Sequence, residues 1–235
     1  MKSKSLSICS YIHCVSKVVP LFKQGNSAEV CNYRPISLIS TFSKVFEKVV
    51  MCRLLKHLSQ NNLLTSQQHG FIKGRSTTSA IVSLVESIID KLEAGETTTS
   101  ILLDFSKASD CLDHDQLLMK MDHFGIKGIT SSWFKSYLGE RQQMVDLKHS
   151  ENGRTSLVRS KPLTITRGVP QGLVLGPVLF ILFTSDLPKY LEEYSDTIMY
   201  ADNTVLLLSD KTPSRLEVSS HIVEVILQSR AHCNA

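Results

Sequence analysis

Two apolar, β-rich segments constrain the fold of this chain most. One ends in an aspartate, and the other carries an aspartate in its turn. Residues 97–105 read TTTSILLDF and predict a buried strand that ends in Asp104. Residues 196–209 predict a hairpin whose tight turn at Ala201–Thr204 contains Asp202. A sheet would fix the backbone of both acids and leave their side chains at its end.

The other segments alternate between helix and strand. Apolar residues recur at helical spacing in four stretches, and a fifth helix is predicted after Pro213, which suits a first helical turn. The four stretches are Thr41–Leu58, Thr78–Leu92, Asp113–Phe124 and Ser132–Leu138. A strand pair is predicted near Gln143–Leu147 and Thr155–Ile165. Because helices come first and strands then alternate with helices, we expect an α+β fold with one lobe over 1–95 and a sheet-based second lobe over 96–209.

Composition excludes several classes of protein. The 235 residues carry 26 Lys and Arg against 22 Asp and Glu, a net charge of +4 that permits a polyanionic partner without demanding one. The six cysteines contain no C-x-x-C pair, which argues against zinc fingers and a dense disulfide framework and favours a reduced, intracellular protein. The longest apolar run, Leu173–Phe183, contains Gly176 and Pro177 and is too short to span a bilayer.

Asp104 and Asp202 are the candidate chemical residues. Two carboxylates fixed at the end of a sheet can present hard oxygen ligands to Mg²⁺, and two ions about 3.5–4 Å apart can drive an in-line phosphoryl displacement. From spacing alone, an ordinary strand-end aspartate and an ordinary turn aspartate explain the same pattern. The residues considered singly leave both explanations open.

Six blocks in a fixed order carry a resemblance to a known family. They are NYRPISLIS (32–40), QHGFIKGRSTTSAI (68–81), LLDFSKASDCLDHDQLL (102–118), SWFKSYLGERQQMV (132–145), RGVPQGLVLGPVLFILFTSDLP (167–188) and YADNTVLLL (200–208). Together they closely resemble the reverse transcriptase domain of non-LTR retrotransposons, the LINE-like, jockey-type elements. The resemblance runs from about Val18 to Leu208.

The resemblance implies a right-hand polymerase fold of fingers and palm, with a small antiparallel palm sheet flanked by helices and with the thumb missing. In these terms the chain has an N-terminal extension (1–17), a fingers-like subdomain (18–95), a palm-like subdomain (96–209) and a truncated C-terminal helix (210–235). Family members extend a DNA primer on an RNA template with dNTPs. We therefore expect those partners, no membrane, no inferable obligate protein partner, and a nuclear or cytoplasmic rather than secreted location.

The resemblance also implies roles for individual residues. In the family, the acid of the LDFSKAFD-type block and both acids of the YADD-type turn bind Mg²⁺ or Mn²⁺, and Asp104 and Asp202 match the first two. Lys23 and Arg34 match basic residues that cradle the incoming triphosphate, and Gln171 and Gly172 match residues beside the templating base. For Lys73 and Arg75, contact with phosphates and an ordinary solvated loop remain alternatives.

Three residues depart from the family pattern. Asn203 stands where the family has its third acid, so the catalytic turn keeps an oxygen donor without its charge. Ser109 stands where a bulky Phe walls off the sugar 2′-hydroxyl, so any remaining activity should admit ribonucleotides. Leu173 replaces the usual Ser and adds volume beside the template-nucleotide pocket. We expect polymerase activity to be strongly impaired or absent.

Other readings of the chain compete with that of a polymerase domain. A non-catalytic nucleic-acid-binding remnant of a retroelement is the main alternative, followed by a relic without a selected role and by a two-metal nuclease. His69, His114 and His123 lack metal-ligand spacing, so loop or helix-surface roles are expected for them. Trp133, Phe134 and Tyr137 could stack on bases, but core packing suits their spacing better. Asp113 and Asp115 are both expected to cap the helix that follows them.

Overall fold

The computed structural model describes residues 15–104, 110, 112–139, 141–151 and 153–233. The strands are β1 (Ser16–Phe22), β2 (Tyr33–Leu38), β3 (Thr97–Asp104), β4 (Gln142–Glu151), β5 (Arg154–Arg159), β6 (Leu163–Thr164), β7 (Asp196–Tyr200) and β8 (Asn203–Asp210). The helices are α1 (Thr41–Gln60), α2 (Thr77–Glu93), α3 (His114–His123), α4 (Gly128–Gly139), α5 (Gly176–Thr184), α6 (Leu187–Leu191) and α7 (Pro213–Cys233). The chain is α+β, as the sequence predicts.

The chain divides into two compact units, and each is built from two separate stretches of sequence. The first unit comprises Met1–Lys56 and Leu112–Gly176, and the second comprises His57–Cys111 and Pro177–Ala235. Both units therefore draw residues from either side of the boundary expected near residue 95. The division into fingers-like and palm-like subdomains stays a prediction.

A mixed five-stranded sheet forms the first unit's β-structure. Its order is β2-β1-β4-β5, with β6 paired to β4, and β1 and β4 run parallel while the other pairs are antiparallel. Pro20 and Pro35 are direct register partners between β1 and β2. The Lys23 N–H donates to the Asn32 carbonyl, so by alternation the proline pair occupies a position without ladder hydrogen bonds. Neither proline therefore costs the ladder a hydrogen bond.

The second unit is organised around a three-stranded antiparallel sheet of order β3-β8-β7. One face of this sheet packs on α6 and α7 in a buried apolar cluster. The cluster consists of Leu187, Leu191, Met199, Leu206, Leu208, Leu216 and Val223, with Ile101 and Leu103 packed against it. By the alternation of side chains along β3, Leu102 and Asp104 lie on the opposite face. Asp104 is thus on the face that points away from this cluster.

Most elements lie where periodicity and turn chemistry predict them, with three corrections. The interpretation that helices come first is wrong, because the hairpin of β1 and β2 precedes α1. The strand β3 is only partly buried rather than buried, since Leu102 is 79% exposed. The turn between β7 and β8 is shorter than predicted, because Asn203 and Thr204 already belong to β8. Among the described residues, no helix is both long and apolar enough to cross a membrane.

A buried ion pair joins α1 to the segment before α5 within the first unit. Glu47 is 0% exposed and accepts hydrogen bonds from the N–H groups of Val174 (2.7 Å) and Leu175 (3.3 Å). Its other oxygen lies 3.3 Å from Nη2 of Arg141, which is 7% exposed and sits over the ring of Tyr137 at 4.0 Å. Burial raises the pKa of the Tyr137 hydroxyl well above its ordinary value.

We predict that Glu47→Leu will lower the free energy of unfolding by about 3–5 kcal/mol, because the Arg141 charge would stay buried without its partner. The double variant Glu47→Leu/Arg141→Met should recover part of this loss. Asp122→Asn, which breaks an exposed pair with Lys127, should change stability little. Urea unfolding followed by circular dichroism measures all three, and equal losses for Glu47→Leu and Asp122→Asn would contradict the prediction.

Candidate active site

The register of β3 and β8 brings two of the candidate residues together. Asp104, the last residue of β3, is the direct cross-strand partner of Asn203, the first residue of β8. Directly opposed residues in antiparallel strands have Cβ atoms about 4.5–5.5 Å apart on one face. Asp202 precedes Asn203 in the turn, and all three side chains are exposed. The structure therefore gathers Asp104, Asp202 and Asn203 at one end of the sheet.

The turn itself is a two-residue hairpin connection. Tyr200 and Asn203 pair to close it, which leaves Ala201 and Asp202 as the loop residues. Ala201 has φ 58°, a left-handed conformation that alanine adopts only at a cost and that hairpin turns of this length require. Asp202 is therefore displayed at the tip of the hairpin.

These side chains are suitable ligands for a divalent ion. Two carboxylates and an amide oxygen are hard donors of the type that Mg²⁺ takes in proteins. Within the described ranges, no group of three or more His, Cys, Asp or Glu side chains could hold a metal ion. The donor set fits a divalent cation. It supplies two negative charges, from Asp104 and Asp202, and Asn203 adds a neutral oxygen.

Lys23 and Arg34 lie at the tip of the β1–β2 hairpin in the first unit. Arg34 is the register partner of Leu21, and the Lys23 N–H bonds to the Asn32 carbonyl 2.9 Å away, so alternation places the two cations diagonally on one face. Both side chains are exposed. Among the described residues, neither has an acidic partner within salt-bridge distance. Both charges are therefore available to an anion.

Gln171 and Gly172 belong to a segment that packs on β2. The Gln171 carbonyl accepts the Ser37 N–H at 2.8 Å, and Gln171 forms an isolated parallel bridge with Ile36. Gly172 has φ 103°, and a Cβ atom there would lie 2.9 Å from the Ser37 carbonyl oxygen. The close approach that the structure shows at Gly172 is thus to the backbone of β2.

The remaining sequence predictions have mixed outcomes. Arg75 uses Nη1 to contact the carbonyls of Ser66 (2.6 Å) and Gln68 (2.5 Å), so a structural loop role is present for this residue. Leu173 is buried in the first unit. Lys73 is exposed. Ser109 lies outside the described residues.

Several residues that could have suggested a site are structural. The Asp113 carboxylate accepts the Gln116 N–H and caps α3 as predicted, and His114 Nε2 lies 2.8 Å from the Gly168 carbonyl. Phe134 and Tyr137 are buried, which confirms core packing for both, and Trp133 stacks on Tyr137. Sequence reasoning missed two residues that contact the Ala201–Asp202 turn, Gln68 and Gly70. Neither residue type has a pattern that would have revealed this contact.

His69 is buried beside that turn in the second unit. Its N–H donates to the Met199 carbonyl at 2.7 Å, and its ring Nδ1 lies 2.9 Å from the Ser79 hydroxyl. Burial, with the charge of Arg75 as a smaller cause, lowers the pKa of His69 below its ordinary value of 6.5. The neutral imidazole is therefore the form that the fold prefers.

Comparison with known proteins identifies the family. The family model described as reverse transcriptase (RNA-dependent DNA polymerase) matches residues 23–233. The chain belongs to the reverse transcriptase family. The resemblance carried by the six sequence blocks is thereby confirmed.

Two curated relatives show which reverse transcriptases this one is similar to. The probable RNA-directed DNA polymerase from transposon BS of Drosophila melanogaster is 32% identical over 208 residues, covering 83% of this chain and 21% of that protein. The RNA-directed DNA polymerase from mobile element jockey of the same species is 30% identical over 204 residues, covering 84% and 21%. This chain thus spans about a fifth of the length of these relatives.

Solved structures agree on the fold. The structure of apo telomerase from Candida tropicalis truncated from its C-terminal domain superposes with a TM-score of 0.58 at 14% identity. The match covers 87% of this chain and 45% of that one. At this identity the likeness concerns the fold alone, and it agrees with the α+β architecture of this reverse transcriptase domain.

We predict that the free energy of unfolding will fall as the pH drops below about 6.5, partly because of His69. Because the pKa of His69 is lower in the folded state, the unfolded chain takes up the proton first as the pH falls. The stabilising contribution of neutral His69 is therefore present above pH 6.5 and is lost as the pH falls through the folded-state pKa. His69→Asn should flatten this part of the profile, and His123→Asn, on an exposed helical position, should not. Urea unfolding at stepped pH values measures the effect, and identical profiles for both variants would contradict it.

Proposed function

We propose that this chain is the polymerase part of a reverse transcriptase that extends a DNA primer on an RNA template, with strongly impaired activity. The register pair of Asp104 with Asn203, next to Asp202 at the end of an antiparallel sheet, is the observation that supports this proposal most. The family membership of residues 23–233 supports nucleotidyl transfer as the chemistry. In the same terms, residues 18–95 are fingers-like and 96–209 palm-like.

Asp104 and Asp202 are the residues that would hold divalent ions, Mg²⁺ or Mn²⁺, with Asn203 as a neutral third donor. The bound ions would supply charge neutralisation for displacement at the α-phosphate of a dNTP. The exposed positions of these side chains leave their oxygens accessible to a ligand. Strand pairing fixes the backbone of Asp104, and the Tyr200–Asn203 pair closes the hairpin turn that carries Asp202, which supports a site formed before any ligand binds.

The other proposed contacts belong to the first unit and to a position outside the described residues. Lys23 and Arg34 would bind the triphosphate, for which a planar guanidinium offers bidentate contact. Gln171 and Gly172 would lie beside the templating base. Ser109 would leave space for a 2′-hydroxyl. The partners are then an RNA template, a DNA primer and dNTPs in an intracellular compartment.

The missing charge at Asn203 is the physical reason for expecting impairment. One charge–charge contact is worth about 4 kcal/mol at 4 Å with an effective dielectric of 20. Solvent reduces this value at an exposed position, but a loss of even about 1.4 kcal/mol from the transition state slows a reaction tenfold. Two carboxylates facing divalent ions should therefore catalyse far less well than three.

We predict that Asn203→Asp will raise the rate of primer extension by at least about tenfold, because it restores the third carboxylate. Extension of a DNA primer on an RNA template with Mg²⁺ or Mn²⁺ measures the rate. Asn62→Asp, which adds the same charge in an exposed turn, is the matched control and should change nothing. If Asn203→Asp gave no gain while Asp202→Asn abolished residual activity, the charge deficit would not be the main defect.

A second candidate function is non-catalytic nucleic-acid binding. Lys23 and Arg34 favour it, since they have no acidic partner among the described residues and could contact phosphates. A donor set with two carboxylates instead of three would at the same time weaken the chemistry. Binding of this type depends on releasing counterions from the phosphate backbone. It would persist in a chain that extends no primer.

We predict that Lys23→Gln and Arg34→Gln will each make the plot of log affinity against log salt concentration less steep by about one unit, because each removes one phosphate contact. Fluorescence anisotropy of a labelled primer–template measures the slope between low and moderate salt. Lys127→Gln removes an exposed charge on another segment and is the control. Equal slopes for all three variants would argue against a phosphate contact at the β1–β2 tip.

A further inference from the structure

A short segment of the second unit lies along the edge strand β7 and contacts the Ala201–Asp202 turn. Gln67 and His69 both hydrogen-bond to the backbone of Met199. The Met199 N–H donates to the Gln67 carbonyl at 2.8 Å, and the His69 N–H donates to the Met199 carbonyl at 2.7 Å. These bonds make an isolated parallel bridge between Gln68 and Met199. We call residues 67–70 the turn clamp.

Gln68 is the centre of the turn clamp. Its side chain is 0% exposed, and its Oε1 accepts the Ala201 N–H at 3.0 Å and the Gly70 N–H at 2.7 Å. One amide oxygen thus satisfies two backbone donors, one in the clamp and one in the turn. Because Ala201 is in the costly left-handed region, this bond acts on the residue whose conformation shapes the turn.

Gly70 allows the clamp to approach the turn. A Cβ atom at position 70 would lie 2.3 Å from the Ala201 nitrogen and 2.9 Å from its Cα, both backbone atoms that cannot turn aside. Arg75 fixes the clamp in turn by contacting the Ser66 and Gln68 carbonyls. The contact between clamp and turn therefore needs both a glycine at 70 and an acceptor at 68.

We propose that Gln68 is a positioning residue that holds the Ala201–Asp202 turn, and with it the Asp202 carboxylate, in the geometry that binds a divalent ion. The proposal rests on the proposed function, since it assigns the ion to Asp104 and Asp202. Gln68 touches neither the ion nor a substrate in this scheme, and it acts through the Ala201 N–H. A neutral acceptor holds the turn without adding a negative charge beside the carboxylates.

Two measurements on the whole chain test the clamp. The first is hydrogen exchange of the Ala201 amide, followed by NMR after selective ¹⁵N-alanine labelling. The second is the dissociation constant for Mn²⁺ alone, measured from the free-ion signal in electron paramagnetic resonance, in the parent and in the Asn203→Asp background. Neither measurement depends on polymerase activity.

We predict that Gln68→Met will accelerate exchange of the Ala201 amide and raise the Mn²⁺ dissociation constant about tenfold, as expected from the loss of the hydrogen bond that Gln68 accepts from the turn. Gly70→Ala should do the same by displacing the turn. Gln67→Met makes the same chemical change one residue away and leaves the backbone carbonyl of residue 67 in place. Because the Gln67 side chain accepts hydrogen bonds from the Thr65 and Ser66 hydroxyls rather than from the turn, this variant should change neither quantity.

The possible outcomes separate the clamp from the proposed function. Unchanged Ala201 exchange or unchanged Mn²⁺ binding in Gln68→Met would overturn the clamp, as would global unfolding of Gln68→Met while Gly70→Ala folds and binds Mn²⁺ normally. If both variants fold, faster exchange and weaker binding in both support it. Mn²⁺ binding that is insensitive to Asp202→Asn would instead overturn the ion site itself, and with it the proposed function.

Discussion

The pairing of β3 with β8 is the constraint on which the candidate site depends. In this register Ile101, Leu103, Leu206 and Leu208 face the apolar cluster, and Asp104 opposes Asn203 on the other face. Because side chains alternate, a shift of one residue would turn Asp104 toward the cluster and Leu103 away from it. The free energy of burying the leucines therefore also fixes where the carboxylate stands. At this sheet, one strand register sets both the packing of the core and the geometry of the site.

The electrostatics of the site follow from what surrounds that pairing. Asn203 is neutral beside the two carboxylates, and the amide oxygen of Gln68 accepts the Ala201 N–H in the turn. Two carboxylates repel each other less than three would, and they also attract divalent ions more weakly. Under the proposed function, the neutral Asn203 would therefore favour an ion-free site and disfavour catalysis.

Much of this fold follows from local patterns, and the failures have physical causes. The hairpin of β7 and β8 and the helices α1 to α3 are predictable because apolar spacing and turn residues mark them. The strands β1 and β2 escaped prediction because Pro20 and Pro35 argue against strands unless their pairing is known. The site acids could be proposed from sequence since they flank apolar strands. Gln68 could not, because its function depends on a contact with Ala201 far away in sequence.

Two glycines of the family blocks are explained by contacts within the fold. Gly70 and Gly172 are both required by contacts inside a folded unit, with the Ala201 and Ser37 backbones respectively. Either contact would exert the same demand in an active polymerase, in a binding remnant and in a folded relic. These glycines therefore support the fold without favouring one function. Lys23 and Arg34 are exposed and have no acidic partner among the described residues, which favours a phosphate-binding function over a folded relic. The neutral Asn203 bears on catalysis, so it is the residue that separates an active polymerase from a binding remnant.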